Sequence, residues 1–423
     1  MPPASPSVRK IRGLRWYIAG ALCLATALNY LDRQTLALLA GTLQQELGIT
    51  TSQYGAITAA FLASYTIMYA ISGRLIDRMG TQRGLTTFVS LWSVANACHA
   101  LARTAREFAL CRFFLGAAEP ASFPASMRAV SEWFPVRERA MAVGIFDAGT
   151  AVGGGLAAPL VAWITLTFGW RYSFVAGGLL GLVWVGFWQL LYREPRQHPR
   201  LSTEELELIE ETGPPPPDRG PVPIGRILRL RETWGCLLVR LLTDQLSYFF
   251  LFWIPKFLQQ ERGFDLAAIG RLYWIPWVAL GLGNLAGGAV PRWLIARDWS
   301  VDRARKSVMA VATGLIPASF IFITQVSSPA GAITLISIAM FSHGAWANIT
   351  LPAEVFPKHV VGSVTGFGGA LGSGMGAIVS LVIGRLLASI SFTPLFLAYS
   401  AIPIVAFLLV LWLIKDLGRI RIL

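Results

Sequence analysis

In the stretch TALNYLDRQTLALLA an acid and a base, Asp32 and Arg33, stand side by side in apolar surroundings. A second couple, Arg112 and Glu119, is embedded in CRFFLGAAEPASFPAS. Seven helical steps of about 100° return to within about 20° of the starting direction, so an unbroken helix projects Arg112 and Glu119 from one face. An ionised side chain in a membrane helix costs about 2.5–3.5 kcal/mol on insertion scales, and four of them in two segments demand a compensating interior site. Arginine does not deprotonate in proteins and can hold a carboxylate in its planar fork. A buried Asp or Glu can take up and release a proton. The set therefore suits binding of an organic anion by Arg33, with Asp32 and Glu119 carrying protons. The plainer alternative is two structural ion pairs tying helices together, which interiors tolerate although such pairs are poor stabilisers.

Polar neighbours favour a ligand. Asn29 and Tyr30 lie one helical turn before Arg33, and Tyr65 and Tyr69 recur at i, i+4. Further along come Asp244, Gln245, Ser247 and Tyr248, then His343, Trp346 and Asn348. Aromatic faces combined with hydroxyl and amide groups suit a sugar-like ring, which makes Tyr30, Tyr65 and Gln245 candidates beside Arg33. A tyrosine in a membrane span also serves as core or interface. His343 reads as a packed histidine, Arg240 and Asp244 as an i, i+4 pair that can neutralise itself, and Asp147 either as a titratable site or as a hydrogen-bonded one.

The elements that must position these residues are membrane helices. The chain is 54% hydrophobic and 14% charged with mean hydropathy +0.56, against about 25% charged in ordinary soluble proteins. Apolar runs of about 20 residues, the length that spans a bilayer, occur near 16–39, 54–75, 84–103, 107–130, 140–164, 172–192, 233–257, 266–290, 307–326, 330–352, 361–387 and 392–414. The basic stretch MPPASPSVRKIRGLRW leads into a full-length run and reads as the start of a retained first span, unlike a cleavable signal. The formal charge of +13 needs no polyanion: with both termini placed inside, most Lys and Arg fall in cytoplasmic loops, the bias of a plasma-membrane (inner-membrane) protein. Nucleic acid is not implied. Cys23, Cys98, Cys111 and Cys236 have no metal-ligand or disulfide spacing and read as small packing residues.

A polar stretch, REPRQHPRLSTEELELIEETGPPPPDRGPVPIGR, separates two sets of six spans. The expected organisation is a bundle over 1–192, a cytoplasmic linker over 193–232 and a second bundle over 233–423. Leu201, Leu206 and Ile209 form one apolar face in the linker, and STEE offers a capping box with Ser202 or Thr203 as N-cap. EWFP (Glu132–Pro135) and EVFP (Glu354–Pro357) fall in matching loops of the two sets and precede glycine-rich spans, pointing to a parallel six-span repeat. In GRLIDRMGTQRG, Gly73 and Gly80 permit close approach and a turn, Asp77 caps or bridges toward a neighbouring helix end, and Arg78 and Arg83 anchor at the cytoplasmic face.

The pattern Gly73-x-x-x-Asp77-Arg78-x-Gly80-x-x-Arg83 resembles the signature loop of the major facilitator superfamily. NYLDRQ and CRFFLGAAEPASFPA resemble its anion:cation symporters, and FFLFWIPKFL and WSVDRARK are most similar to the hexuronate branch. The resemblance implies an all-α membrane protein of twelve transmembrane helices in two pseudo-symmetric six-helix bundles. It implies a secondary active transporter, no enzyme, that takes up a sugar-acid anion such as glucuronate or galacturonate with protons by alternating access, with no cofactor beyond the coupling proton. Asp32 and Glu119 would couple protons, Arg33 would bind the substrate carboxylate and Arg112 would modulate Glu119. Tyr65, Trp346 and Asn348 would lie at or near the site, and Asp77 and Arg78 would belong to the inner gate. Thr150 departs from the glutamine that galactonate-type members tend to have. Its partners would be the substrate and the bilayer, with the monomer as functional unit. The competing readings are a carrier of another organic anion (aldonate, aromatic or dicarboxylic) and a non-transporting membrane sensor; no P-loop, HExxH or nucleophile motif favours an enzyme.

Overall fold

The computed structural model describes residues 10–210, 224–346, 350–414 and 416–417, all helix, turn and loop, with no strand among them. Long helical segments run over Leu14–Leu38, Thr51–Met79, Thr81–Cys98, Ala105–Ala118 continued by Ser122–Trp133, Arg139–Phe168 and Trp170–Leu191 in the first half. In the second half they run over Arg231–Glu261, Leu266–Ile295, Val301–Ile323, Pro329–Trp346, Lys358–Leu386 and Thr393–Leu413. These are the first to twelfth spans. Nine of them are long and apolar enough to cross a membrane on hydropathy alone, among the described residues. The fourth is broken into helices of 14 and 12 residues, and the first and third carry charged and amide side chains.

Local chemistry sets the ends. Thr50 and Gln53 satisfy each other's backbone N–H groups at the start of the second span, at 3.2 and 2.9 Å, and Thr104 and Glu107 do the same at the fourth. Gly80 ends the second span at φ +77°, a left-handed value that a residue with a Cβ rarely adopts.

Packing repeats with a period of six spans. The first span packs on the fifth as the seventh does on the eleventh; second–fourth matches eighth–tenth, and third–sixth matches ninth–twelfth. Between the halves, second against eleventh is mirrored by eighth against fifth. The glutamates of the repeated tetrapeptide occupy matching places. Glu132 accepts from Thr81 at the start of the third span at 2.7 Å and from Tyr192, and Glu354 accepts from Arg305 in the ninth.

The linker and the parts of the termini that are described share one face. Ile11 N donates to Arg200 O at 2.9 Å and Leu417 N to Asp302 Oδ1 at 3.1 Å. Ser202 caps the linker helix Thr203–Glu210 through Glu205 N (3.2 Å), but the Glu205 carboxylate does not return to close the box. It takes instead the free N–H groups of Gly13, Leu14 and Arg15 at 3.0–3.2 Å and the Arg15 guanidinium at 2.8 Å, capping the first span and docking the linker on it. Leu201 is buried there, with Leu206 and Ile209 packed on the same core.

The two halves touch at one end and part at the other. On the face opposite the linker, Tyr54 Oη donates to Phe252 O at 2.6 Å and Gln259 Nε2 to Leu38 O at 2.8 Å. There the second and eleventh spans meet through bare backbone, a Cβ on Gly55 falling 2.8 Å from Gly384 Cα. Thr66 bonds Ser373 midway at 2.8 Å, and Tyr69 lies on Gly369 slightly further in. Beyond that point, toward the linker face, a Cβ on Gly73, Gly362 or Gly366 would meet nothing within 4 Å, nor would one on Gly144 or Gly288 in the fifth and eighth spans. The molecule is open toward the linker face.

Candidate functional site

Arg33 projects from the first span toward the second and fourth. Its Nε and Nη2 both reach Glu119 Oε2, at 2.9 and 2.7 Å, and Nη2 also donates to Asn29 Oδ1 at 2.8 Å. The guanidinium lies 4.9 Å from the Tyr30 ring centroid, 5.0 Å from Tyr65 and 5.5 Å from Phe61. Aromatic faces hold a cation through the ring quadrupole. The pair is nearly dry: Arg33 is 6% and Glu119 1% exposed, and Glu119 Oε1 has no hydrogen-bond partner.

Asp32 turns away from Arg33 by the 100° that separates successive helical residues. It faces the third and sixth spans, where Asn96 Nδ2 donates to Oδ1 at 2.7 Å while Oδ2 remains without a partner. Gly177 makes room, because a Cβ there would collide with Asp32 Oδ1 and Asn96 Nδ2. Asn96 is the site residue that sequence reasoning missed; its only signal was an amide in an apolar span. Arg112, 1% exposed, donates Nη2 to the Arg33 carbonyl at 3.3 Å and lies 5.7 Å from the Phe61 ring centroid, with Nε and Nη1 unpartnered.

The fourth span is α-helical from Arg112 through Ala118, as the one-face reading of Arg112 and Glu119 requires, and breaks only at Glu119. The helix gives way to a tight 3-10 turn over Glu119–Ala121, where Pro120 supplies no N–H, before resuming at Ser122. Glu119 sits on this break, aimed at Arg33.

Around this centre, Tyr30 contacts Trp277 of the second half edge-on at 6.2 Å, with Thr150 beside its hydroxyl, and Tyr65 packs between Phe61 and Tyr69. Gln245 is buried with Nε2 donating to Leu241 O (2.8 Å) and Gly372 O (3.1 Å), while Oε1 is unpartnered. Trp346 lies elsewhere: its indole donates to Thr313 at 3.0 Å within a separate core with Cys236, Met309 and Val355. Asn348 falls outside the described residues. Asp77, Arg78 and Arg83 are exposed on the linker face, where Arg128 reaches Asp77 at 3.8 Å. His343 hydrogen-bonds Ser247 at 2.7 Å, and Arg240 pairs with Asp244 at 3.3 Å. No group of three or more His, Cys, Asp or Glu among the described residues could hold a metal.

Known proteins share this sequence and fold. The Hexuronate transporter of Escherichia coli (strain K12) is 36% identical over 414 residues, 96% of this chain and 95% of that one. The Galacturonate transporter of Dickeya chrysanthemi is 40% identical over 285 residues, 67% of this chain and 83% of that one. Among solved structures, the xylose transporter XylE from E. coli in its inward open conformation superposes with a TM-score of 0.71 at 18% identity, covering 94% of this chain and 95% of that one. An inward-facing bacterial homolog of the human lysosomal transporter Spinster gives 0.69 at 18%, covering 96% of each. The sequence model described as Major Facilitator Superfamily matches residues 22–380. A twelve-span chain in two six-span halves, similar along nearly its whole length to named transporters and matched by that model, is a multi-pass membrane transporter and belongs to the major facilitator superfamily.

Proposed function

We propose that this transporter carries a sugar-acid anion, a hexuronate such as glucuronate or galacturonate, inward together with protons. The observation that carries the reading is the occupied fork of Arg33: Nε and Nη2 both sit on one carboxylate oxygen of Glu119. A substrate carboxylate that takes this edge of the guanidinium uses the same two donors. Glu119 and the substrate therefore compete for one guanidinium, and protonating Glu119 releases it. Losing the proton lets the internal pair re-form and expel the anion. Asp32, held by Asn96, is a second proton carrier. A monoanion moving with one proton carries no net charge; with two protons it carries one positive charge inward.

Tyr30, Tyr65 and the free Oε1 of Gln245 offer ring faces and an acceptor to a hydroxylated ring. Trp346 and Asn348 remain proposed for the substrate's passage from the resemblance alone. The excess of Lys and Arg in loops on the linker face supports a cytoplasmic position for that face and both termini, with the chain in the cell (inner) membrane. Residues 1–192 and 233–423 then rock about the central site, joined by 193–232, within a monomer; Gly73, Asp77, Arg78, Gly80 and Arg83 close the cytoplasmic side. Relatives named for uronates support the substrate class. A dicarboxylic sugar acid is the second reading, favoured by the two unpartnered nitrogens of Arg112.

The test is uptake of radiolabelled glucuronate, galacturonate and galactarate into proteoliposomes under an inward proton gradient. Glu119→Gln should abolish accumulation yet keep exchange down a substrate gradient, and Arg33→Ala should lose both. Uptake of neither uronate by native protein sinks the hexuronate reading; galactarate uptake in its place supports the second.

A further inference from the structure

Lys256 is unused by this mechanism. It lies in the seventh-span segment Ile254–Glu261 at the closed end of the molecule and is 1% exposed. Its Nζ donates to Gln44 Oε1 at 3.0 Å and stands 5.4 Å from the Tyr54 ring centroid. Both partners are neutral and belong to the other half, and among the described residues no carboxylate pairs with it. An ammonium drawn out of water with one amide and one ring face for company is poorly compensated. Ionisable groups kept at such cost in membrane spans tend to line ion and substrate paths.

Its surroundings give that path a direction. Tyr54, Phe61 and Tyr65 recur on the second span at i, i+7 and i+11, within about 40° of one another around the helix. Lys256 stands over Tyr54, Arg112 over Phe61, and Arg33 over Phe61 and Tyr65. Three cations thus follow one another along a single aromatic stripe, from the closed seam to the Arg33–Glu119 pair. The contacts of Lys256 must break for the halves to part at that seam, leaving its charge at the mouth of the opening cleft.

We propose that Lys256 is an outer carboxylate-binding residue. As the seam opens, Nζ leaves Gln44 and Tyr54, takes the carboxylate of an incoming organic anion, and gives it up to Arg33. The inference rests on the sugar-acid and orientation readings above and adds an entry site to them. A neutral latch that merely holds Gln44 makes a different prediction, because Lys256→Gln keeps an amide donor and removes only the charge.

The experiment is initial uptake of external glucuronate into proteoliposomes by native protein, Lys256→Gln and Lys256→Arg, at low and high salt. Lys256→Gln should raise KM about fivefold with kcat nearly unchanged, and should lose much of the rise in KM that added salt causes in the native protein by screening. Lys256→Arg should keep native KM and salt response. Native KM and salt response in Lys256→Gln would overturn the proposal and make the residue a latch; a Lys256→Arg variant as impaired as Lys256→Gln would overturn it too, because charge would then not be what the position needs. Native protein that moves no uronate at all overturns the functional reading and this inference with it.

Discussion

Asp32 and Arg33 are neighbours in sequence and strangers in space. Their oddity in an apolar run was legible, and so was the company of Arg112 and Glu119, because charge at membrane depth stands out against any background. Which acid meets which base was not legible, since that depends on the direction each span presents to its neighbours. Arg33 takes Glu119, while Asp32 is held by Asn96 in a niche opened by Gly177. The niche makes a prediction that carboxylate chemistry alone would not. Gly177→Ala drives a methyl group into the Asp32–Asn96 bond and should destabilise the protein by about 1–3 kcal/mol, the usual cost of overpacking a tight interior. Thermal unfolding in detergent should show a lowered Tm. An unchanged Tm would mean that the sixth span yields and that the niche is not tight.

At the scale of the helix, the limits of periodic reasoning show most clearly in the fourth and seventh spans. Constant 100° steps hold from Arg112 as far as Glu119, but Pro120 converts the turn that begins there to 3-10 geometry, which no spacing foretold. The seventh span contains a π-helical stretch over Phe249–Trp253, which shifts everything after it, Lys256 included, relative to Gln245. The tenth span is apolar all round, so sequence offered no face on which to place Trp346. The contact between the second and eleventh spans is more readable, being built on glycine. A Cβ at Gly55 falls 2.7 Å from Ser380 O and 2.8 Å from Gly384 Cα, with no flexible side chain to yield. Gly55→Leu should therefore wedge the seam apart. In a background whose four native cysteines are replaced, Phe252→Cys, at a position buried against Phe61 across the seam, should label several-fold faster with an impermeant thiol reagent when Gly55→Leu is present. Equal labelling rates would show that the seam does not depend on this approach.

For the molecule as a whole, twelve spans and two halves followed from hydropathy and a repeated tetrapeptide. Which end stands open could not follow, because one sequence must serve both arrangements. The docking of the linker was half legible: its apolar face was plain, but nothing in STEE foretold that Glu205 would cap a helix 190 residues away. Beside it, His198 Nδ1 accepts from Arg200 N at 3.1 Å and Nε2 faces Leu191 O at 3.0 Å. Burial, reinforced by the positive charges of Arg193, Arg200 and Lys10, lowers its pKa below that of an ordinary imidazole. A proton on Nδ1 would point a donor at a donor. The undocked segment thus binds that proton more readily, so docking is at full strength above about pH 6.5, the ordinary imidazole value, and weakens as pH falls through it. Hydrogen exchange over residues 194–210 should be faster at pH 5.5 than at pH 7.5 after correction for intrinsic rates, and His198→Gln should remove the difference. A pH-independent native profile would refute this.

The spacing of four glycines on the second and eleventh spans has a mechanical consequence. Gly73 lies 18 residues beyond Gly55, and Gly366 lies 18 before Gly384. Eighteen residues make five whole turns of 3.6, about 27 Å of helix, so each span presents its second glycine in phase with its first. The two helices run antiparallel, so the pair now apart is aligned to mate as the pair now joined does, with the Thr66–Ser373 bond as fulcrum. Phase, more than the glycines themselves, is then what links the two ends. One alanine inserted between Thr66 and Gly73 turns the far glycine by about 100° while leaving the near seal intact. Such a protein should bind substrate from the linker side and be unable to close behind it.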